Sequence, residues 1–518
     1  MTNQDKRLLE ACISGGEALI KDGVECSFPL DEETIKCLNE LNKNIQMDAD
    51  DYEIFKSRRM IDDLWSQLLE RAIKCLRYYD KREPFIKSGK TKIPKAYGIK
   101  ELKEYYRQYS DFERVLYGSS QYYRDHIIHV FRTWMSGIEL LTKNDNELLD
   151  KIGIHESKID ISLERAEKIS IWTIIALTHD LGYPLQKSKD IIDVTRRMVG
   201  TFIANPDISV DFSFHGVQNY MNDYIVRLMS SKMKERSVEG AQKEYVARLQ
   251  PKYYFKFQKS LEQNGHGILS TLIIYKLLTY FLESDYSINE DYTFDCEDCR
   301  QFYIRREILR AIASHTCNDV YQLYMGSFSF LLRICDDTQE WGRKYISELY
   351  TKSTQDYQLS DIALTFTEGK ANNCTIKERI EIGGKDERTV AYCMQRFYNQ
   401  AIEYITIFRD GQDTEKRDFS FVREMTIEFD KIKFLLNLQI KRGEPSKLEV
   451  VIEYGSVGTK NSQFGKDFFI NNEIRISNFR ICDENGTENA IAIDAKGSGT
   501  SLTSKDWKKG LLCMPLAD

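Results

Sequence analysis

The sequence predicts a mainly α-helical protein, with a helical N-terminal region, an all-helical central domain and a smaller mixed α/β region at the C-terminus. Three observations predict this class. Only 8 prolines occur in 518 residues, so long segments lack the residue that most strongly interrupts helices. Apolar residues recur at spacings of three and four through the first two thirds of the chain. Beyond about residue 355, short alternating runs typical of strands replace this pattern.

Residues 1–98 form the predicted helical N-terminal region. The apolar series from Met60 to Leu76 repeats every three or four residues, as one face of a helix does. The basic stretch 81–98 contains both Gly and Pro and therefore predicts a loop. A domain boundary is expected at the end of this loop.

Residues 99–354 form the predicted central domain. Helix-length apolar patterns alternate there with polar loops. The predicted helices cover 123–142, 161–180, 266–283, 301–315 and 327–350. The domain is therefore expected to be all-helical.

Residues 355–518 form the predicted mixed α/β region. Short alternating runs at 362–366, 425–429 and 448–454 predict strands, and one helical segment lies near 387–408. The last fifty or so residues are rich in Gly, Ser, Asn and Thr, which is typical of a partly ordered tail.

The overall composition and charge limit the kinds of partner that the protein is expected to bind. A formal net charge of −7 provides no broad basic field, so duplex nucleic acid is not an expected partner. No stretch approaches the roughly 18 to 20 apolar residues that a bilayer span requires, and the N-terminus lacks an apolar signal core. The 12 cysteines are scattered along the chain, as in proteins with reduced thiols. We therefore expect a cytoplasmic protein with no membrane partner.

The pair His179 and Asp180 stands at the end of a predicted apolar helix, before Gly182 and Pro184, which are expected to end it. An imidazole and a carboxylate side by side can ligate a metal ion, and the carboxylate can bridge two ions. The pair is therefore the first candidate for a metal site.

Other histidines and one aspartate also lie on or at the ends of predicted apolar helices. His126 and His129 are three residues apart and share a helix face. His266 opens one predicted helix and His315 ends another. Asp336 follows Leu332 by four residues on a core-facing stripe, where a buried carboxylate needs a cation or hydrogen-bond donors. These residues are expected to converge.

The order of these residues along about 120–345 resembles the HD superfamily of metal-dependent phosphohydrolases. The order is a His, then a His-Asp pair, then a later Asp, each on its own helix. The resemblance implies one divalent ion on His129, His179, Asp180 and Asp336. It implies a second ion on His266 and His315, bridged by Asp180. Mixed imidazole and carboxylate ligands suit Mn, Fe, Ni, Co or Zn, and Mg fits the second position.

The first ligand is either His126 or His129. Family members often carry a hydrophobic residue four positions after this His, and Val130 follows His126 at that distance while Thr133 follows His129. We prefer His129 because the run that it opens, His-Val-Phe-Arg-Thr-Trp, resembles the first-ligand helix of bacterial members. His126 then stands closer to the substrate as a proton donor.

The resemblance also implies residues that act on a phosphorylated substrate. Lys187, Lys189, Arg333 and Arg343 flank the candidate ligands and supply positive charge. His126 and His215 are the candidates for proton transfer. Deoxynucleoside triphosphate hydrolases of this family commonly have a histidine four residues after the His of the pair. This chain has Tyr183 there, as a candidate substrate contact.

The function expected from the resemblance is hydrolysis of nucleotides. Deoxynucleoside triphosphates are the preferred substrates, because triphosphohydrolases are large helical members with regulatory additions. One alternative is a phosphodiesterase that opens cyclic mono- or dinucleotides, which the two extra histidines and Tyr183 favour. Another is a nucleotide sensor that keeps the metal pocket. A homo-oligomer, an allosteric nucleotide and a role in bacterial antiphage defence are compatible with this family.

Overall fold

The computed structural model of the protein divides into two compact units. Unit 1 covers residues 1–320, 326–336 and 343–347, and unit 2 covers 321–325, 337–342 and 348–518. The structure describes residues 2–24, 26–44, 51–80, 96–119, 124–155, 161–203, 217–236, 243–283, 288, 292–317, 320, 324–343, 355–367, 370–383, 387–408, 418–429, 432–442, 447–454, 479–482 and 488–491. Most of the described residues are helical, and a smaller part forms β-sheet.

Unit 1 is built almost entirely of helices. Its described helices are α1 (Asn3–Lys21), α2 (Glu32–Asn44), α3 (Asp51–Tyr78), α4 (Ile99–Ser119), α5 (Ile127–Lys151), α6 (Arg165–Thr178), α7 (Tyr183–Val199), α8 (Val217–Ser230), α9 (Pro251–Glu262), α10 (His266–Leu277), α11 (Thr279–Leu282) and α12 (Cys296–Ser314). The helix that carries Asp336 is α13 (Phe328–Thr338).

Helix α6 is the centre of unit 1. Every residue from Ala166 to Thr178 is buried, so this helix is covered on all sides. A reciprocal capping box between Glu164 and Glu167 starts the helix. Helices α3, α5 and α12 pack against it. Because α6 is held on all sides, the residues directly after it are fixed in position.

Tryptophans attach α6 to its neighbours. The Nε1 of Trp172 donates to the carbonyl of Trp134 on α5 at 3.0 Å, and the Nε1 of Trp65 on α3 donates to the carbonyl of Leu177 at 2.8 Å. At Gly137, an added Cβ would lie 2.0 Å from the Trp172 ring. The close contact between α5 and α6 therefore requires a glycine at this position.

Helix α1 is bound to the core by a buried ion pair. Asp5 lies in the first turn of α1, where it completes a capping box with Thr2. Its carboxylate accepts two hydrogen bonds of 2.8 Å from the guanidinium of Arg132 on α5. Both side chains are buried, at 0% and 4% exposure. This bidentate pairing satisfies two charges that would otherwise be costly to bury.

The expectation of an all-helical central domain is wrong at one place. Strands β1 (Ser231–Arg236) and β2 (Glu244–Leu249) form an antiparallel hairpin directly after α8. The first three residues of β1 alternate between buried and exposed positions, and the Tyr303 hydroxyl accepts a hydrogen bond of 2.9 Å from Met233 N. Tertiary contacts therefore stabilise a strand in a segment that is rich in Lys, Glu and Arg.

Unit 2 contains a sheet with seven described strands in the order β3 to β9. These strands are β3 (Gln355–Thr367), β4 (Lys370–Ile382), β5 (Ser420–Phe429), β6 (Ile432–Lys441), β7 (Lys447–Tyr454), β8 (Phe479–Cys482) and β9 (Glu488–Ile491). Neighbours pair antiparallel except β4 with β5 and β7 with β8, which are parallel. Helix α14 (Glu387–Phe408) stands in the crossover between β4 and β5 and packs on β5 and β6.

The core of unit 2 contains a buried polar group beside its apolar residues. Along β5, alternate residues are buried, and Arg423 is one of them. Its guanidinium donates to both carboxylate oxygens of Glu378, at 2.6 and 3.0 Å, and the Tyr357 hydroxyl donates to the same carboxylate. All three side chains are buried, and the Glu378 carboxylate accepts hydrogen bonds from both of its neighbours.

Among the described helices, none combines the length and the apolar character that crossing a membrane requires.

Candidate metal centre

The His-Asp pair lies where α6 ends. His179 is the C-cap residue of α6, and its Nδ1 lies 2.8 Å from the carbonyl oxygen of Ala176. Both His179 and Asp180 are buried. Pro184 does not simply end the preceding helix, as the sequence suggested. Gly182 is the N-cap of α7, and Pro184 stands in the first turn of that helix.

Ser270 of α10 fixes the turn between α6 and α7. Its hydroxyl lies 2.6 Å from the His179 carbonyl and accepts a hydrogen bond of 2.8 Å from Gly182 N. A Cβ at Gly182 would lie 2.3 Å from the carbonyl of His266, so only glycine permits this approach. The turn therefore holds Asp180 against the N-terminus of α10.

His129 enters the site from the first turn of α5. The side chain of Asp125 caps this helix, with Oδ1 accepting from Ile128 N at 2.6 Å and from His129 N at 3.3 Å. His129 Nε2 lies 2.8 Å from Oδ1 of Asp336, the aspartate near the end of α13. The residue His129 is 1% exposed. The structure therefore brings His129, the preferred first ligand, to Asp336.

The carboxylate of Asp180 lies between two pairs of imidazoles. Its Oδ2 is 3.6 Å from His179 Nε2 and 3.8 Å from His129 Nε2. Its Oδ1 is 3.3 Å from His266 Nε2 and 3.5 Å from His315 Nε2. Each oxygen therefore faces a different pair, which is the arrangement that a bridging carboxylate requires.

Three of the imidazoles are held in one tautomer by an acceptor at Nδ1. For His179 the acceptor is the carbonyl of Ala176, and for His315 it is the carbonyl of Ile312, at 2.6 Å. For His266 it is Oε1 of Gln186, also at 2.6 Å. When Nδ1 carries the proton, the neutral ring presents an unprotonated Nε2 for a metal ion.

The charges in this site are strongly coupled. Burial acts to raise the pKa of Asp180, but the His179 charge and the nearby imidazoles of His266 and His315 hold that pKa well below its ordinary value. Burial acts to lower the pKa of His179, but the carboxylates of Asp180 and Asp336 raise it to about 9. The two buried carboxylates thus stabilise a positive charge next to them, as on the protonated ring of His179.

Two groups of side chains could hold an ion. One is His129, His179 and Asp336, and the other is His179, Asp180 and His315; in each group the ligand atoms lie within 4.8 Å of one another. The Nε2 atoms of His179 and His315 are buried and have no hydrogen-bond partner among the described residues. Buried unpartnered ring nitrogens beside two carboxylates fit a divalent cation.

Aromatic side chains form one wall beside these groups. The ring of His126 stacks on the ring of Tyr183, with centroids 3.8 Å apart and planes 25° apart. The edge of His266 meets the same Tyr183 ring at 5.3 Å, and the ammonium of Lys187 lies 5.7 Å from its centroid. Tyr183 therefore connects the predicted proton-transfer residue to the metal-binding candidates.

Both predicted arginines donate hydrogen bonds to backbone carbonyl groups of site residues. The Nη1 of Arg333 donates to the His315 carbonyl at 2.5 Å, and the Nε of Arg343 donates to the Asp125 carbonyl at 3.1 Å. Burial lowers the pKa of His126 and of His129, and the charge of Arg343 lowers both further. Arg343 therefore supplies positive charge on the side of the site that these two histidines occupy.

His215 and the side chain of Lys189 lie outside the described residues. The sequence prediction also missed residues that shape the site: Asp125, Gln186 and Ser270. Their contacts connect positions as many as 218 residues apart, so no local pattern marks them as a group. Asp125 falls inside the predicted helix 123–142, but in the structure it precedes α5 and caps it.

Comparison of this chain with known protein families, with curated proteins and with solved structures finds no match.

Proposed function

We propose that this protein is a metal-dependent phosphohydrolase of the HD type that acts on nucleotides. The observation that carries the proposal is the position of Asp180 between two pairs of imidazoles, with a second carboxylate, Asp336, beside one of them. These residues come from the ends of separate helices in unit 1. A buried charge needs a partner, so a cluster of buried carboxylates and imidazoles is better explained by bound metal ions than by packing of the core.

The residues that would hold the ions divide into two sets. His129, His179, Asp180 and Asp336 would hold one ion, and His266, His315 and Asp180 would hold the other. Mixed nitrogen and oxygen donors favour Mn, Fe, Ni, Co or Zn, with Mg at the second position. When bound, such ions lower the pKa of water and neutralise phosphate charge.

The chain's own residues would bind and orient the substrate. The positive charge of Arg343, close to His126 and His129, attracts a phosphate group to that side. Since burial and Arg343 lower the pKa of His126, this imidazole is neutral near pH 7, so it would accept a proton there, whereas the sequence suggested a proton donor. Tyr183, fixed against His126 and close to Lys187, offers a ring face for the substrate.

Deoxynucleoside triphosphates are the proposed substrates, with a deoxynucleoside and inorganic triphosphate as products. A second candidate is the opening of cyclic mono- or dinucleotides to linear nucleotides. It is favoured by Tyr183, which stands where deoxynucleoside triphosphate hydrolases of this family commonly have a histidine. It is also favoured by the imidazole pair His266 and His315 at the second carboxylate oxygen.

The experiment is an incubation of the Mn²⁺-loaded full-length chain with deoxynucleoside triphosphates, ribonucleoside triphosphates and cyclic mono- and dinucleotides, with products separated by chromatography. Triphosphate and deoxynucleoside would establish the first candidate, and linear nucleotides from cyclic ones would establish the second. Tight nucleotide binding without any product would overturn hydrolysis and favour a sensor.

A further inference from the structure

One face of α4 borders the candidate metal centre. Tyr105, Tyr109 and Glu113 are spaced four residues apart, so they lie along one side of this helix. Both ends of this run contact the site. The Tyr105 hydroxyl donates to the carbonyl of Leu181 at 2.7 Å, and Glu113 Oε1 accepts from His126 N at 2.7 Å. Tyr109 therefore lies between the turn that follows Asp180 and the start of α5.

The hydroxyl of Tyr109 is buried beside the candidate metal centre, within the influence of the Asp180 charge. The residue is 3% exposed, and its Oη has no hydrogen-bond partner among the described residues. Buried hydroxyl groups are normally hydrogen-bonded, because leaving one unpaired costs free energy. A tyrosine whose hydroxyl is buried, unpaired and located at a candidate active site is therefore suited to bind a ligand.

The charges around Tyr109 indicate which ligand atom it would meet. Burial raises the pKa of its hydroxyl, and the carboxylates of Glu113 and Asp180 raise that pKa further, as does Tyr183. The hydroxyl is therefore a neutral donor in a negative environment, which disfavours a phosphate oxygen. Arg343, in contrast, places a positive charge close to His126 and His129. The Tyr109 hydroxyl thus suits a sugar hydroxyl, and the charge of Arg343 suits a phosphate group.

We propose that the Tyr109 hydroxyl donates a hydrogen bond to a sugar hydroxyl of the nucleotide, so that α4 positions the nucleoside end while Arg343 faces the phosphate end. This inference rests on the proposed function, because it assumes that a nucleotide occupies the site. It adds a residue that no motif in the sequence indicates, contributed by a helix that carries no candidate metal ligand.

The test removes one hydroxyl from the protein and one from the ligand. Binding of ATP, 2′-deoxyATP, 3′-deoxyATP and 2′,3′-dideoxyATP is measured by calorimetry in Ca²⁺, for the wild type and for Tyr109→Phe. Tyr109→Phe should weaken binding of probes that keep the contacted hydroxyl about five- to tenfold. It should bind probes that lack that hydroxyl as the wild type does.

The matched control is Tyr106→Phe. Tyr106 is the next residue of the same helix after Tyr105, is equally buried, and has its ring stacked on Trp65 with centroids 4.0 Å apart. Its substitution removes the same atom away from the proposed contact, so every affinity should match the wild type. Equal affinities in Tyr109→Phe and the wild type, equal losses for all four probes, or no nucleotide binding by the wild type would each overturn the proposal.

Two further readouts separate this inference from the proposed function. If Tyr109 affects binding as expected but Mn²⁺-loaded wild type releases no product, hydrolysis is wrong and the Tyr109 contact stands. If Mn²⁺-loaded wild type releases product but the effect of Tyr109→Phe does not depend on a sugar hydroxyl, the proposed hydrolysis stands and the Tyr109 contact is wrong. Should Tyr109→Phe fail to fold, the wild type alone decides, because removal of both sugar hydroxyls must weaken its binding at least fivefold, and equal binding overturns the contact.

Discussion

His129 Nε2 lies 2.8 Å from Asp336 Oδ1, although 207 residues separate the two in sequence. One side chain belongs to the first turn of α5 and the other to the end of α13. His129 Nε2 also lies 3.8 Å from Asp180 Oδ2, and Asp180 follows α6, a helix buried from Ala166 to Thr178. The fold of unit 1 therefore assembles a cluster of imidazoles and carboxylates from helix ends, with Asp180 between the imidazole pairs.

Substitution of Asp180 should abolish both metal binding and turnover while leaving the helices intact. Asp180→Ala removes the carboxylate that faces both imidazole pairs, and it removes little core volume. Metal content by mass spectrometry and helix content by circular dichroism check this. Asp193→Ala, at an exposed carboxylate of α7 that pairs with Arg196, is the control and should match the wild type. Full turnover in Asp180→Ala would contradict the assigned site.

Tyr183 should determine substrate preference more than the rate of the chemical step. Tyr183→Ala removes the ring that stacks on His126, so KM should rise by about an order of magnitude, and by different factors for different nucleotides. Tyr183→Phe keeps the ring, so its KM should rise less than that of Tyr183→Ala. Steady-state kinetics on several substrates measure this. An identical loss of kcat/KM for every substrate would show that Tyr183 only supports the fold.

Metal removal should destabilise unit 1. An ion that binds only the folded chain adds about 2.7 kcal/mol of stability when its concentration is a hundred times its Kd. Differential scanning calorimetry with Mn²⁺ and with a chelator should therefore show a higher Tm in Mn²⁺. Asp180→Ala provides the control, since its Tm should no longer respond. A wild-type Tm that is the same in Mn²⁺ and chelator would argue against an ion in the site.

The buried pair of Asp5 and Arg132 should be important for stability. Asp5→Ala leaves the Arg132 guanidinium buried without its carboxylate partner, so the free energy of unfolding should fall by about 3 to 5 kcal/mol. The matched control is Asp22→Ala, which removes an exposed partner of Arg165 and should cost less than about 1 kcal/mol. Denaturation in urea measures both. Similar small losses would mean that the buried pair is replaced by other contacts.

Helix-end positions of the site residues could be predicted from the sequence, because apolar periodicity shows where helices begin and end. Helix α10 starts at His266 as expected, and His315 directly follows α12. The order of His and Asp residues also identified which of them were candidates. Contacts such as Gln186 with His266 could not be predicted in this way, since they depend on how separate helices pack.

The β1–β2 hairpin was missed for a related reason. The β1 sequence, Ser-Lys-Met-Lys-Glu-Arg, has no β-branched or aromatic residue, and it continues directly from α8. Local propensity therefore gave no signal for strand β1, and its tertiary contacts determine its conformation instead. Tyr109 was missed because a tyrosine in a helical pattern usually belongs to the core, and only its position between two site contacts makes it notable.

Metal-dependent hydrolysis of nucleotides is best tested by measuring turnover of the 518-residue chain with and without a metal ion. The protein is stripped with a chelator, divided, and assayed on the nucleotide panel with and without added Mn²⁺, with products followed by chromatography. We expect no product from the stripped protein and restored hydrolysis of at least one nucleotide in Mn²⁺. Hydrolysis that persists unchanged after the metal is removed, or no hydrolysis of any nucleotide in Mn²⁺, would contradict it.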